Sequence, residues 1–98
     1  MQKIKVFIIS PQSLFRQGVR HSLNSMSQIE ISGEDEVDDE TLLTIESSLP
    51  DVALVDIDNT SDNGLRLARR IKQRLPSIGV IVLTSNPNDD QLFQVIKA

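Results

Sequence analysis

The feature that most constrains this chain is an alternation of two patterns. Short runs in which every residue is apolar are each followed by a segment whose apolar residues step by three or four. Val6 to Ile9, Val52 to Val55 and Val80 to Leu83 are such runs, rich in β-branched residues. A strand without a polar position is covered on both faces, the mark of a parallel sheet wrapped by helices. The first strand spans Ile4 to Ile9 and stops at Ser10-Pro11. A helix follows, with Ser10 or Ser13 as its cap and Pro11 tolerated in its first turn; Leu14/Phe15, Val19, Leu23 and Met26 form its apolar face.

Ile29 to Ser32 alternates apolar and polar residues, which suits an edge strand with one wet face. The pattern predicts a second helix from about Asp39 to Ser48, with Leu42, Leu43, Ile45 and Leu49 inward and Pro50 ending it. Val52 to Val55 is a fully buried strand that delivers Asp56, and Asp58 to Gly64 is a loop of turn-forming residues. Leu65 to Leu75 reads as a third helix, Gly79 to Leu83 as a buried strand, and Gln91 to Ala98 as the start of a fourth helix. Strand and helix thus alternate throughout, which predicts an α/β fold with a doubly wound parallel sheet.

A length of 98 residues makes one domain. No apolar run approaches the roughly 20 residues of a membrane span, and the N-terminal apolar stretch is too short for a signal peptide. The chain has no cysteine, so it has no disulfide framework and no thiolate ligand or nucleophile, and a cytoplasmic setting is expected. A net charge of −4 gives no general attraction to nucleic acid, and three Phe without Trp or Tyr leave little to stack on bases.

In sheets of this kind ligands bind beyond the carboxyl ends of the strands. Ser10-Pro11, Gly33-Glu34, Asp56 to Asn59 and Thr84-Ser85 stand at those places. Asp56 either caps the loop after its strand or shares a pocket with Thr84.

At this point the chain resembles the receiver domain of two-component response regulators, in particular those joined to a LuxR-type helix-turn-helix. The resemblance runs from Ile4 to Ala98. It is carried by Leu14-Phe15-Arg16-Gln17-Gly18-Val19-Arg20, by Leu49-Pro50-Asp51-Val52-Ala53-Leu54-Val55-Asp56, by Gly64-Leu65 and by Val82-Leu83-Thr84-Ser85. It implies a flavodoxin-like sheet in the order 2-1-3-4 and a regulatory rather than enzymatic role. Asp56 matches the phosphoacceptor, and Thr84 the hydroxyl that binds the phosphoryl group, with Ser85 beside it. Phosphoryl transfer to a carboxylate needs the accumulating charge to be neutralised by Mg²⁺ and hydrogen-bond donors. The implied partners are a sensor histidine kinase or another protein and a second copy of the chain. DNA would be reached only through a helix-turn-helix domain beyond residue 98.

Two departures set this chain apart. Ser10 and Pro11 stand where the family carries the acidic pair that holds Mg²⁺, an ion that takes hard oxygen ligands. Asp56 and Asp58 are the carboxylates left as candidate metal ligands. The family's lysine follows a fifth strand, and this chain ends before one, so the domain over residues 1–98 is expected to be incomplete. A proline of the family's loop is here Thr60. The expectation is an atypical receiver with impaired phosphorylation, the alternative a working phospho-receiver with a rebuilt metal site. Asp56-Ile57-Asp58-Asn59-Thr60 is also similar to the D-x-D-x-T motif of haloacid-dehalogenase-type phosphohydrolases, with Thr84 or Ser85 passing for the second motif. Those enzymes need a lysine and an acidic metal motif further on, and the 98 residues contain neither in a suitable place.

Two charge clusters remain. Glu34 to Glu40 holds six acids in seven positions, read as a solvated loop with acids favouring a helix N-terminus. Arg66 to Arg74 holds five bases in nine, read as the wet face of a helix. His21, the only histidine, falls on the polar side of the first helix.

Overall fold

The computed structural model describes residues 3–38, 40–57 and 63–84, with Thr84 described by its backbone alone. Its elements run in the order β1 (Ile4–Ile9), α1 (Ser13–Asn24), β2 (Ile29–Asp35), α2 (Thr41–Ser48), β3 (Val52–Ile57), α3 (Asn63–Arg74) and β4 (Gly79–Thr84). The four strands form one parallel sheet in the order β2-β1-β3-β4, as the resemblance implied.

The main core lies on one face of the sheet. Phe7 and Ile9 of β1 and Ala53, Val55 and Ile57 of β3 meet Leu42 and Ile45 of α2 and Leu65, Leu67, Ala68 and Ile71 of α3. Alternation along the strands sends Val6 and Ile8 to the opposite face, where both are buried. That is the face of α1, which packs on β1 and β2.

The predicted fourth helix and the loop before it lie outside the described residues. Elsewhere the structure corrects several expectations. β2 does not stop at Ser32 but runs to Asp35, so Gly33 and Glu34 belong to the strand and not to a loop after it. The cause is a bulge: Val6 pairs with Ile31 but Phe7 with Gly33, and Ser32 is the extra residue. The Phe7 ring lies over Gly33, so close that a Cβ there would stand 2.8 Å from Phe7 Cε2.

α1 begins at Ser13, and its N-cap is Gln12 without a side-chain cap, neither Ser10 nor Ser13. Pro11 stays outside the helix. Phe15, Val19 and Leu23 are half-buried, whereas Leu14 (80% exposed) and Met26 (50%) face away from the sheet. In α2, Leu42 and Ile45 point inward as expected, but Leu43 and Leu49 are exposed. Leu49 carries the left-handed C-cap (φ 46°) ahead of Pro50 and leaves the helical face there. α2 starts at Thr41, whose backbone N–H donates to Asp38 Oδ1 at 2.9 Å; Glu40 N–H uses the same oxygen.

β3 alternates rather than being buried on both faces: Ala53, Val55 and Ile57 are buried, while Val52, Leu54 and Asp56 are half-buried. β4 is likewise less covered than its apolar sequence predicts, with Ile81 48% exposed, because it forms the edge of the described sheet.

Candidate functional site

β1 is flanked by β2 on one side and β3 on the other, so the chain reverses direction across the sheet between β1 and β3. That reversal opens a crevice beyond the carboxyl ends of these two strands. Ile9 pairs with Val55, which brings the next residues, Ser10 and Asp56, level with each other at the crevice.

Ser10 is fully buried. Its hydroxyl donates to Asp56 Oδ2 at 2.8 Å and accepts the backbone N–H of Gln12 at 3.1 Å. Its own N–H donates to the Asp35 carbonyl at 3.1 Å, and its carbonyl accepts from Arg16 Nη1. Every polar group of Ser10 is therefore used, which is what burial of a serine requires. Asp56 is half-buried at the end of β3, with one carboxylate oxygen engaged by Ser10.

Gly64 lets α3 approach this strand end. A Cβ on it would lie 3.3 Å from the Asp56 carbonyl oxygen, tighter than ordinary contact. Gly64 is the second residue of α3, close to the opening position its motif implied. In β4, Leu83 pairs with Asp56 and Thr84 with Ile57, so the ladder brings the Thr84 backbone to the same end of the sheet. Ser85, Asp58, Asn59 and Thr60 lie outside the described residues.

Arg16 is the site residue that sequence reasoning missed. It sits one turn into α1 and reaches back to the Ser10 carbonyl, while its Nε is buried without a hydrogen-bond partner among the described residues. The available signal was its spacing: a long basic side chain six residues after Ser10, on a helix that starts three residues after Ser10.

Among the described residues, the donors at this crevice do not make up a divalent-cation site. Mg²⁺ takes hard oxygen ligands, usually including one or two carboxylates. Pro11 has no side-chain oxygen, and the Ser10 hydroxyl is turned toward Asp56 as a donor. No group of three or more His, Cys, Asp or Glu that could hold a metal occurs among the described residues. What the arrangement can do is hold an aspartate carboxylate at the switch point of the sheet by a neutral hydroxyl.

The acidic run divides between strand and helix start rather than forming one loop. Glu34 and Asp35 are strand residues, Asp38 caps the start of α2, and His21 is exposed on α1. No helix among the described residues is long and apolar enough to cross a membrane.

The family model of the response regulator receiver domain matches residues 6–98. The chain belongs to that family. Its relatives are response regulators of the NarL/LuxR type. It is 32% identical to the transcriptional regulatory protein DegU of Brevibacillus brevis, over 97% of this chain and 40% of that protein. It is 27% identical to the DNA-binding transcriptional activator DevR/DosR of Mycobacterium tuberculosis, over 97% of this chain and 44% of that one. Among solved structures, the isolated receiver domain of RcsB from Salmonella enterica serovar Typhimurium, in the presence of phosphomimetic BeF3⁻, superposes with a TM-score of 0.78 at 27% identity. It covers 98% of this chain and 72% of that one. The chain thus spans less than half the length of these two curated relatives.

Proposed function

We propose that this chain is the atypical receiver module of a longer transcription regulator. It keeps the acceptor aspartate, Asp56, but takes up phosphate poorly and works by protein–protein contact. Thr84 and Ser85 are the hydroxyl candidates for a phosphoryl group, and Asp58 is the remaining candidate carboxylate. The partners of this reading are a sensor histidine kinase or another regulatory protein, a second copy of the chain, and DNA through a separate C-terminal domain. Its setting is the cytoplasm, and no membrane is involved.

The observation that carries this reading is the Ser10–Asp56 hydrogen bond. In the family pattern a carboxylate at position 10 would oppose Asp56, and a cation would be needed to hold the two together. Serine removes that need and the cation's attraction with it. The half-exposed Asp56 with a single oxygen engaged supports the second reading, a phospho-receiver whose metal site is rebuilt from other oxygens.

Two measurements separate them. Acetyl phosphate with Mg²⁺, followed by intact-mass determination, is expected to label the chain weakly or not at all. A Mg²⁺ titration by NMR is expected to leave the amides around Ser10 and Asp56 unmoved. Stoichiometric labelling lost in Asp56→Asn would overturn the proposal in favour of the second reading. Restoring the pair, with Ser10→Asp and Pro11→Asp together, is expected to bring back Mg²⁺ binding.

A further inference from the structure

The basic run of α3 is not used by the Asp56 site, and the structure gives it a shape. Along the surface between α2 and α3 lie two hollows of about 360 and about 290 Å³ that share Arg70. The first is lined by Val37, Asp38, Asn63, Arg66 and Leu67, the second by Leu42, Gln73 and Arg74. Sharing Arg70, the two hollows follow one another along α3, and this row makes up the groove.

Arg66, Arg70 and Arg74 follow one another at four-residue spacing, so they form a ridge with a repeat of about 6 Å. Arg66, Arg70 and Arg74 are exposed. Arg74 closes the far end of the groove through a charge contact of 2.7 Å to Glu46. Arg70, in the middle, makes no ion pair among the described residues.

We propose that this groove docks an acidic helical segment of a partner protein, one whose carboxylates recur every four residues. The argument is charge complementarity. Residues 63–74 hold five of the chain's ten basic residues and none of its fourteen acidic ones. Asp38 at one end and Glu46 beside Arg74 offset part of this charge, so an acidic partner is steered to the exposed side of the ridge, centred on Arg70. The ridge repeat matches carboxylates on successive turns of a helix. Leu42 and Leu67 at the floor are almost fully buried, so they offer little new apolar area, and recognition rests on the arginines. A nucleic acid fits less well: among the described residues the groove has no aromatic lining on which a base could stack.

The test is fluorescence anisotropy with a labelled amphipathic peptide about four helical turns long, bearing Glu at every fourth position. Arg70→Glu keeps a good helix former at an exposed position, so the fold is retained. Binding at low salt is expected to weaken about tenfold or more in Arg70→Glu and about as much on raising the salt to several hundred millimolar, while Arg70→Lys stays within about threefold of the parent. Amide shifts on binding are expected to fall on α3 and the start of α2. The proposal fails if no binding is seen at low salt, if a Glu→Gln peptide binds equally well, or if the shifts lie elsewhere. It also fails if a single-stranded oligonucleotide binds tighter than the peptide and with the same dependence on Arg70.

Discussion

Ser10 and Asp56, 46 residues apart in sequence, are joined by an O–H···O hydrogen bond of 2.8 Å across the reversal between β1 and β3. This bond makes the strand ends self-sufficient. Two facing carboxylates repel each other unless a cation lies between them or one of them takes up a proton. A hydroxyl facing a carboxylate needs neither. The same serine oxygen also takes the Gln12 N–H, so the turn into α1 and the aspartate on β3 share one atom.

Substitutions at position 10 follow from this. Ser10→Ala leaves the Gln12 N–H and one Asp56 oxygen without their partner at a buried position. It is expected to lower the unfolding free energy by about 1–3 kcal/mol in urea denaturation. Ser10→Asp places two carboxylates together and is expected to destabilise more, with part of the loss recovered on adding Mg²⁺, because an ion that binds only the folded state stabilises it. A Ser10→Asp variant as stable as the parent without Mg²⁺ would show that the two side chains do not meet.

Much of this was legible from apolar runs alone. Ile4 to Ile9 was read directly, because Val6 to Ile9 are buried on both faces of the sheet. The sheet order came from the resemblance, as did the pairing of Asp56 with position 10. What stayed hidden were effects that periodicity does not encode. β2 passes through a bulge at Ser32 and continues for three more residues, with the Phe7 ring lying against Gly33. Leu14 and Leu49 are apolar by type but lie where the backbone turns them outward. Arg16 escaped because its partner is a main-chain carbonyl, which carries no residue identity.

The two glycines that touch neighbours should respond differently. Gly33→Ala puts a methyl group 2.8 Å from a ring that is itself almost fully buried, so the bulge must open or Phe7 must move. A loss of about 1–3 kcal/mol is expected from this overpacking. Gly64→Ala meets the Asp56 carbonyl at 3.3 Å but gains up to about 1 kcal/mol of helix propensity, so its net effect is expected to be smaller. Thermal unfolding of both variants side by side checks the order, and a Gly64→Ala variant less stable than Gly33→Ala would contradict it.

The D-x-D-x-T spacing at Asp56 makes a hydrolase assay informative. With a receiver reading, the protein is expected to leave p-nitrophenyl phosphate intact in the presence of Mg²⁺. Turnover abolished by Asp56→Asn and also by Asp58→Asn would instead identify a nucleophile and a general acid/base, and would favour a phosphohydrolase.

The edge of the sheet supplies the last prediction. β4 pairs with β3 through all six of its residues and with no other strand among the described residues. Its sequence is apolar from Val80 to Leu83, yet Ile81 is 48% exposed and Val80, Val82 and Leu83 only half-covered. An apolar strand with one free row of backbone donors and acceptors recruits another chain unless charge, proline or a covering element blocks it. A polypeptide of residues 1–98 is therefore expected to self-associate through β4, or by exchanging elements between copies. Light scattering across a concentration series should show the apparent mass rising. Ile81→Lys, which places a charge on that edge, should return it toward the monomer. A clean monomer at high concentration would sink the idea, and so would a dimer whose contacts lie wholly on α1.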